Sequence, residues 1–361
     1  MGVDARLVLH APDRAAAERA GTAAFARIAA LDTIMSDYRR DSELMRLCVR
    51  AGGGAVPVSP DLFTVLQRAE AVSRHSRSAF DVTVGPLIAL WRTARKSGTL
   101  PDPAELAAAR KKVGWQQIHL DPKARTVRLT VPGMKLDLGG IAKGYAADAA
   151  QLVLKAHGIT RALVELGGDI VVSAPPPGAD GWNIRVPNAG DDSGPADLKF
   201  ANCAISTSGD TEQFALISGR RYSHVVDPRT GQALTSRVQV TLTAPDGLTS
   251  DPLATAVSVL GHEDRDVLLA AYPGSRAYIR VLPVPAKPTA APASAFCLLP
   301  SAFCLLPSRH GRPHGAAGMP SRVIRGKAPD LPRFKYVTAS PHAGSVVLRA
   351  AHLLPRGPGR Q

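Results

Sequence analysis

Long apolar runs are missing from this chain of 361 residues. None reaches roughly eighteen residues, so no segment reads as a membrane-spanning helix. Cysteine is scarce: Cys48, Cys203, Cys297 and Cys304 lie far apart or inside a repeat, and neither a zinc site nor a disulfide framework has that spacing. The start, Met1 to Leu7, lacks a basic region followed by an apolar stretch, so no signal peptide is visible. That leaves a cytoplasmic protein, or a start codon downstream of the true one. Acidic residues are nearly absent from residues 282–361, where Asp330 stands alone against eleven Lys or Arg. Residues 1–281 hold 33 Lys and Arg against 29 acids, only +4 of the total +14. The basicity therefore belongs to the tail, and the front part carries no electrostatic footprint for nucleic acid.

What is present divides at Val281. The tail holds 13 of the 30 prolines and an exact seven-residue duplication, Ser294 to Pro300 and Ser301 to Pro307. Its composition reads as a low-complexity extension, disordered or frame-shifted, rather than a packed unit. Residues 1–281 alternate helical periodicity, short β-like runs and turn signals, the pattern of an α+β domain. Helices are expected at 13–34, 60–76, 102–112, 143–157, 252–260 and 263–272. Strands are expected at 117–120, 126–131, 162–166, 182–186, 203–206, 213–217, 222–226, 237–243 and 277–281.

Four segments carry chemistry. In Leu136-Asp137-Leu138-Gly139-Gly140-Ile141-Ala142-Lys143, a strand runs through a glycine turn into a helix, where backbone N–H groups and the Lys143 ammonium suit anionic oxygens. The spacing fits neither a P-loop nor a dinucleotide fingerprint. A second turn, Gly167-Gly168-Asp169, follows the next strand and can close the same pocket. Ser206-Thr207-Ser208 offers hydroxyls to a polar ligand edge, and His224 precedes Asp227-Pro228 at a strand end. His224 suits a general base or a hydrogen-bond partner. Asp251-Pro252 reads as a helix N-cap with proline at N1. Thr255, four residues on, can place its hydroxyl beside the Asp251 carboxylate, a pair suited to Mg²⁺ rather than Zn²⁺.

In this order the segments resemble the FAD:protein FMN transferase family, also called thiamine-biosynthesis lipoproteins. Met35-Ser36-Asp37-Tyr38 with Ser42-Glu43-Leu44 resembles the family's opening block, and Phe80-Asp81-Val82-Thr83-Val84 with Leu90-Trp91 resembles its second. Val82 stands where proline is usual. The resemblance covers residues 1–281 and implies a single α+β domain around a mostly antiparallel sheet with flanking helices. It also implies Mg²⁺ held by Asp251, Thr255 and the Ala142 carbonyl. FAD, the substrate, would be lined by Met35, Tyr38, Asp81, Gly139, Gly140, Lys143, Asp148, Gly167, Gly168, Asp169, Ser206, Thr207, Ser208 and Asp227.

The activity this resemblance implies is transfer of FMN from FAD to a Thr or Ser hydroxyl of an acceptor flavoprotein, with release of AMP. His224 and Lys143 are the expected catalytic residues, and a redox membrane complex subunit is the expected acceptor. The resemblance also implies a place on the periplasmic side of the cytoplasmic membrane if an upstream signal was omitted, and the cytoplasm otherwise. The same pocket would suit Mg²⁺-dependent hydrolysis of FAD, and a non-enzymatic flavin binder would need the glycine turns without Asp251 and Thr255.

Overall fold

The computed structural model describes residues 3–187, 195–209, 214–262, 264–282, 334–337 and 345–350. Its helices are α1 (Arg14–Met35), α2 (Glu43–Val49), α3 (Pro60–His75), α4 (Gly85–Ser97), α5 (Pro103–Arg110), α6 (Ala142–Ala156), α7 (Gly247–Leu260) and α8 (Arg265–Ala270). Most start where a side chain satisfies a first-turn N–H. Asp13, Ser42, Ser59 and Asp102 accept from Ala16, Met45, Leu62 and Ala104 respectively. Helices α2 and α4 add to the sequence reading, which gave their segments no secondary structure.

The strands before the second glycine turn are β1 (Ala5–His10), β2 (Val56–Pro57), β3 (Ile118–Asp121), β4 (Thr126–Leu129) and β5 (Arg161–Leu166). Next come β6 (Asp169–Val172), β7 (Trp182–Val186), β8 (Ala196–Phe200), β9 (Cys203–Gly209) and β10 (Phe214–Ile217). The last are β11 (Arg220–Ser223), β12 (Val238–Ala244), β13 (Arg276–Val281), β14 (Phe334–Val337) and β15 (Ser345–Ala350). One sheet dominates, in the order β13-β12-β9-β6-β5-β1-β15-β14, with every pairing antiparallel.

Alternation along the strands divides the core between the two faces of this sheet. Leu7 and Leu9 of β1 join α1, α3, α6 and α7 in the main apolar cluster. Val8 points the other way and meets Leu163, Ile170, Trp182 and Ile205 under the β7–β8 hairpin. A third cluster sets Leu87 and Trp91 of α4 against Ile217 and Tyr222 of β10–β11. The expected α+β architecture with a mostly antiparallel sheet is what these layers form.

The tail departs from a featureless extension in two places. Within it, β15 pairs with β1 across Ala5↔Ala350 to His10↔Ser345, and β14 pairs with β15. Leu348 is buried in the main cluster against α1, where Gly21 lacks the Cβ that would otherwise meet it. The composition hid this because a short strand pattern, Ser345-Val346-Val347-Leu348, sits inside proline- and arginine-rich text. The duplicated segment lies outside the described residues. Leu348→Ala is expected to cost about 2–4 kcal/mol, as for other leucines cut from a packed core. Urea denaturation checks this, and an unchanged midpoint would mean that the strand does not seat there.

Candidate active site

Two glycine turns and two helix starts converge on one cleft of about 650 Å³. Leu138 hydrogen-bonds ahead to Ala142, so the chain passes from the Gly139-Gly140 turn directly into α6. The second turn joins β5 to β6 through Gly167 and Gly168, at φ 54° and 92°, a region a side chain strains to enter. From α4 the cleft receives a stripe at helical spacing, Val84, Ile88, Arg92 and Arg95.

At the floor, Lys143 lies between two carboxylates. Its Nζ is 2.5 Å from Asp169 Oδ2 and 3.3 Å from Asp251 Oδ1. Asp251 also accepts the backbone N–H of Gly144 at 3.1 Å, at the positive end of α6. Asp169 and Asp251 are 3% and 4% exposed, so two acids are removed from water against one cation. Their charges hold the Lys143 ammonium above its usual range despite burial. Burial first, and then the charge of Asp169, pushes the Asp251 carboxyl up to about 7. Lys143 is thus a fixed positive charge and not a base.

Asp251 is not the N-cap that its sequence context suggests. Asp246 caps α7 by accepting Thr249 N–H at 2.8 Å, and the helix runs on through Pro252. Thr255 follows one turn later and lines the cleft. The glycine turn presses on it so closely that a Cβ on Gly140 would stand 2.9 Å from Thr255 Oγ1.

The cleft gathers Met35, Tyr38, Asp81, Gly139, Gly140, Ala142, Lys143, Gly167, Gly168, Thr207, Ser208, His224, Asp251 and Thr255 from the residues singled out by sequence. Asp81 gives its carboxylate to the framework, accepting Thr83 N–H, Thr83 Oγ1–H and Trp115 N–H at 2.7–2.9 Å. Asp169 lies beneath the cleft and reaches it through Lys143. Three others do not line it. Ser206 shares a hydrogen bond of 2.7 Å with Ser250 under the sheet. Asp227 forms a bidentate pair with Arg229 in its own turn. Asp148, five residues past Lys143 and so about 140° around the helix, accepts Gly247 and Leu248 N–H, each at 2.8 Å.

Asp148 therefore docks the start of α7 on α6 and holds Asp251 in place from behind. Burial lifts its carboxyl to about 6 even so. Asp148→Ala leaves two helix-start donors without a partner and is expected to cost about 2–3 kcal/mol. Thermal melts read this directly, and an unchanged Tm would remove Asp148 from the frame of the site.

Sequence reasoning passed over Asp37, Arg92, Arg95 and Asp137, which line the same cleft. The signal was the stripe on α4: arginines at 92 and 95 extend the face begun by Val84 and Ile88.

Known proteins resemble the chain in both sequence and fold. The sequence model of the ApbE family matches residues 1–279. The FAD:protein FMN transferase of Treponema pallidum is 36% identical over 260 residues, 67% of this chain and 72% of that protein. The apo form of the Pseudomonas stutzeri flavinyl transferase ApbE superposes with a TM-score of 0.68 at 28% identity, covering 78% of this chain and 92% of the other. The flavin transferase ApbE of Vibrio cholerae gives a TM-score of 0.65 at 30% identity, covering 75% and 86%.

Proposed function

The chain belongs to the ApbE family, and from that membership and the cleft we propose that it is an FAD:protein FMN transferase. The enzyme takes FAD as substrate and joins FMN to a Thr or Ser hydroxyl of a protein acceptor. The observation that carries this reading is the half-buried Lys143 between the buried Asp169 and Asp251, set where both glycine turns open into one cleft. Such a place suits a pyrophosphate, whose charge otherwise repels a nucleophile.

The donors also fit a hard divalent cation. Two buried carboxylates share one lysine, which leaves a net negative charge that a cation would take up. A carboxylate beside a hydroxyl and a carbonyl suits a metal that keeps waters and substrate oxygens, as Mg²⁺ does. Asp251, the Thr255 hydroxyl and the Ala142 carbonyl would hold it. When bound, Mg²⁺ supplies charge neutralisation at the pyrophosphate.

The chain's own residues do the rest. Gly139, Gly140, Gly167 and Gly168 let phosphate oxygens come close to the backbone. Lys143 stays cationic and offsets charge as it builds on the phosphate. The acceptor hydroxyl attacks the FMN-side phosphorus, His224 takes its proton, and the bond to AMP breaks. FMN remains on the acceptor as a phosphoester. A redox membrane complex subunit as acceptor and a location outside the cytoplasmic membrane belong to the same proposal.

Purified protein incubated with FAD, Mg²⁺ and a Thr-containing acceptor domain tests this by intact mass. A gain of one FMN that EDTA abolishes supports transfer. Free FMN and AMP with no gain would replace transfer by hydrolysis, and FAD binding without turnover would leave only a flavin binder.

A further inference from the structure

The mouth of the cleft is tied together by one arginine. Arg92 Nη1 donates to Asp37 Oδ2 at 2.5 Å, and Nη2 donates to Asp137 Oδ2 at 2.9 Å. Asp37 belongs to the segment after α1, and Asp137 begins the first glycine turn. The second oxygen of Asp137 accepts Gly139 N–H at 2.8 Å, and its own N–H donates to Val82 O at 2.8 Å. The guanidinium thus reaches the glycine turn through one carboxylate. It also lies 4.6 Å over the ring of Tyr38, which is otherwise 64% exposed.

We propose that Arg92 is a positioning residue for FAD binding, clamping the Gly139-Gly140 turn and Tyr38 in register across the cleft before the nucleotide arrives. Two separate segments, residues 37–38 and the turn beginning at Asp137, meet on its one planar fork. A guanidinium can serve two carboxylates and an aromatic face at once, whereas an ammonium is a point charge without that geometry. Without Arg92, Asp37 and Asp137 face each other as like charges in a partly buried place, at 17% and 12% side-chain exposure. Each would then turn toward water, and the turn and the tyrosine would move with them. The order of the turn would have to be recovered from FAD binding energy, so the loss appears in affinity.

This inference rests on the cleft being the FAD site, and FAD affinity tests it without reference to transfer. Flavin fluorescence titration of the full chain gives Kd for wild type, Arg92→Ala, Arg92→Lys, Asp137→Asn and the Arg92→Ala/Asp137→Asn double variant. Thr93→Ala, on the exposed side of the same helix, is the control and is expected to match wild type. Arg92→Ala is expected to raise Kd about tenfold, the scale of losing an outer support of a binding group. At saturating FAD the transfer rate is expected to stay within about threefold, a binding loss rather than a catalytic one. Arg92→Lys recovers part of the affinity, since it can hold one carboxylate.

The double variant separates clamping from direct contact with the ligand. In the Asp137→Asn background, Arg92→Ala is expected to cost less than about threefold. Full additivity of the two losses would mean that Arg92 touches FAD directly, and an unchanged Kd in folded Arg92→Ala would end the proposal outright. If Arg92→Ala does not fold, Arg92→Lys decides, because a clamp requires its Kd to rise and wild-type affinity overturns it. Wild-type protein that binds FAD but transfers nothing overturns the function proposed above and leaves this test intact.

Discussion

Asp251→Asn is expected to lower FMN transfer by about a thousandfold while leaving the fold intact or more stable. The rate loss corresponds to about 4 kcal/mol of transition-state stabilisation, the scale of removing one preorganised electrostatic partner. The stability gain follows from charge. Lys143 offsets one of its two buried carboxylates, and Asp251 carries the remainder. Its carboxyl titrates near 7 in the fold, against about 3.9 in an unfolded chain. A raised folded value means that the protonated form stabilises the protein fully below about pH 4, and that this contribution is gone once the pH has passed 7. The metal-free Asn variant should therefore melt above wild type at pH 8, with the gap closing toward pH 4. Intact-mass kinetics and melts at several pH values test both halves. A variant that keeps wild-type transfer would displace Asp251 from the chemistry, and one that melts lower at pH 8 would show that Asp251 stabilises the fold.

Gly144→Ala is expected to be as damaging through a single methyl group. A Cβ there would stand 2.0 Å from the Gly247 carbonyl oxygen, 2.5 Å from its carbon and 2.9 Å from Asp251 Cβ. None of these is the mobile end of a long side chain. Gly247 meets the same limit in return, at 2.4 Å from Gly144 O. The starts of α6 and α7 thus pack backbone against backbone, and the methyl can be seated only by driving α7 away. Overpacking of this kind costs about 1–3 kcal/mol or more. Here the displacement also breaks the Gly144 N–H bond to Asp251 and carries Thr255 off the glycine turn. Reduced Tm together with near-complete loss of transfer is the expected pair of readings. Wild-type kinetics in a folded variant would show that α7 can shift without consequence.

Much of the architecture was legible because local chemistry and tertiary packing agree. The starts of α1 and α3 and the strand Trp182–Val186 lie where the sequence reading expects them, and Asp13 and Ser59 cap the two helices. Asp251 was readable as a residue of interest but was given the wrong local role. Proline usually opens a helix, so Asp251-Pro252 looks like a start. Asp246 had already started the helix, and Pro252 inside it forfeits the bond its missing N–H would make to the Leu248 carbonyl and crowds that carbonyl with its ring. The correction matters for function, since a carboxylate not used to cap its own helix can face Lys143 and the start of α6. Ser206, Asp148 and Asp227 share segments with true lining residues, yet each is turned to another partner: Ser250, the start of α7 and Arg229. Sequence order identifies the segment; the side-chain direction appears only when the neighbouring element is in place. Arg92 was hidden for a related reason: its two carboxylates come from positions 37 and 137, and nothing local links them.

The pairing of Ala5 with Ala350 sets a schedule for the ribosome. Helices α1 and α6 and the strand β5 are all made within the first half of synthesis, so one side of β1 is covered early. Its other edge has no partner until Ser345–Ala350 emerges. At roughly 5–20 residues per second that interval is roughly 17–70 s. Through it the nascent chain presents an open strand edge, Leu9 and Leu7 included, to whatever binds such edges in the cell.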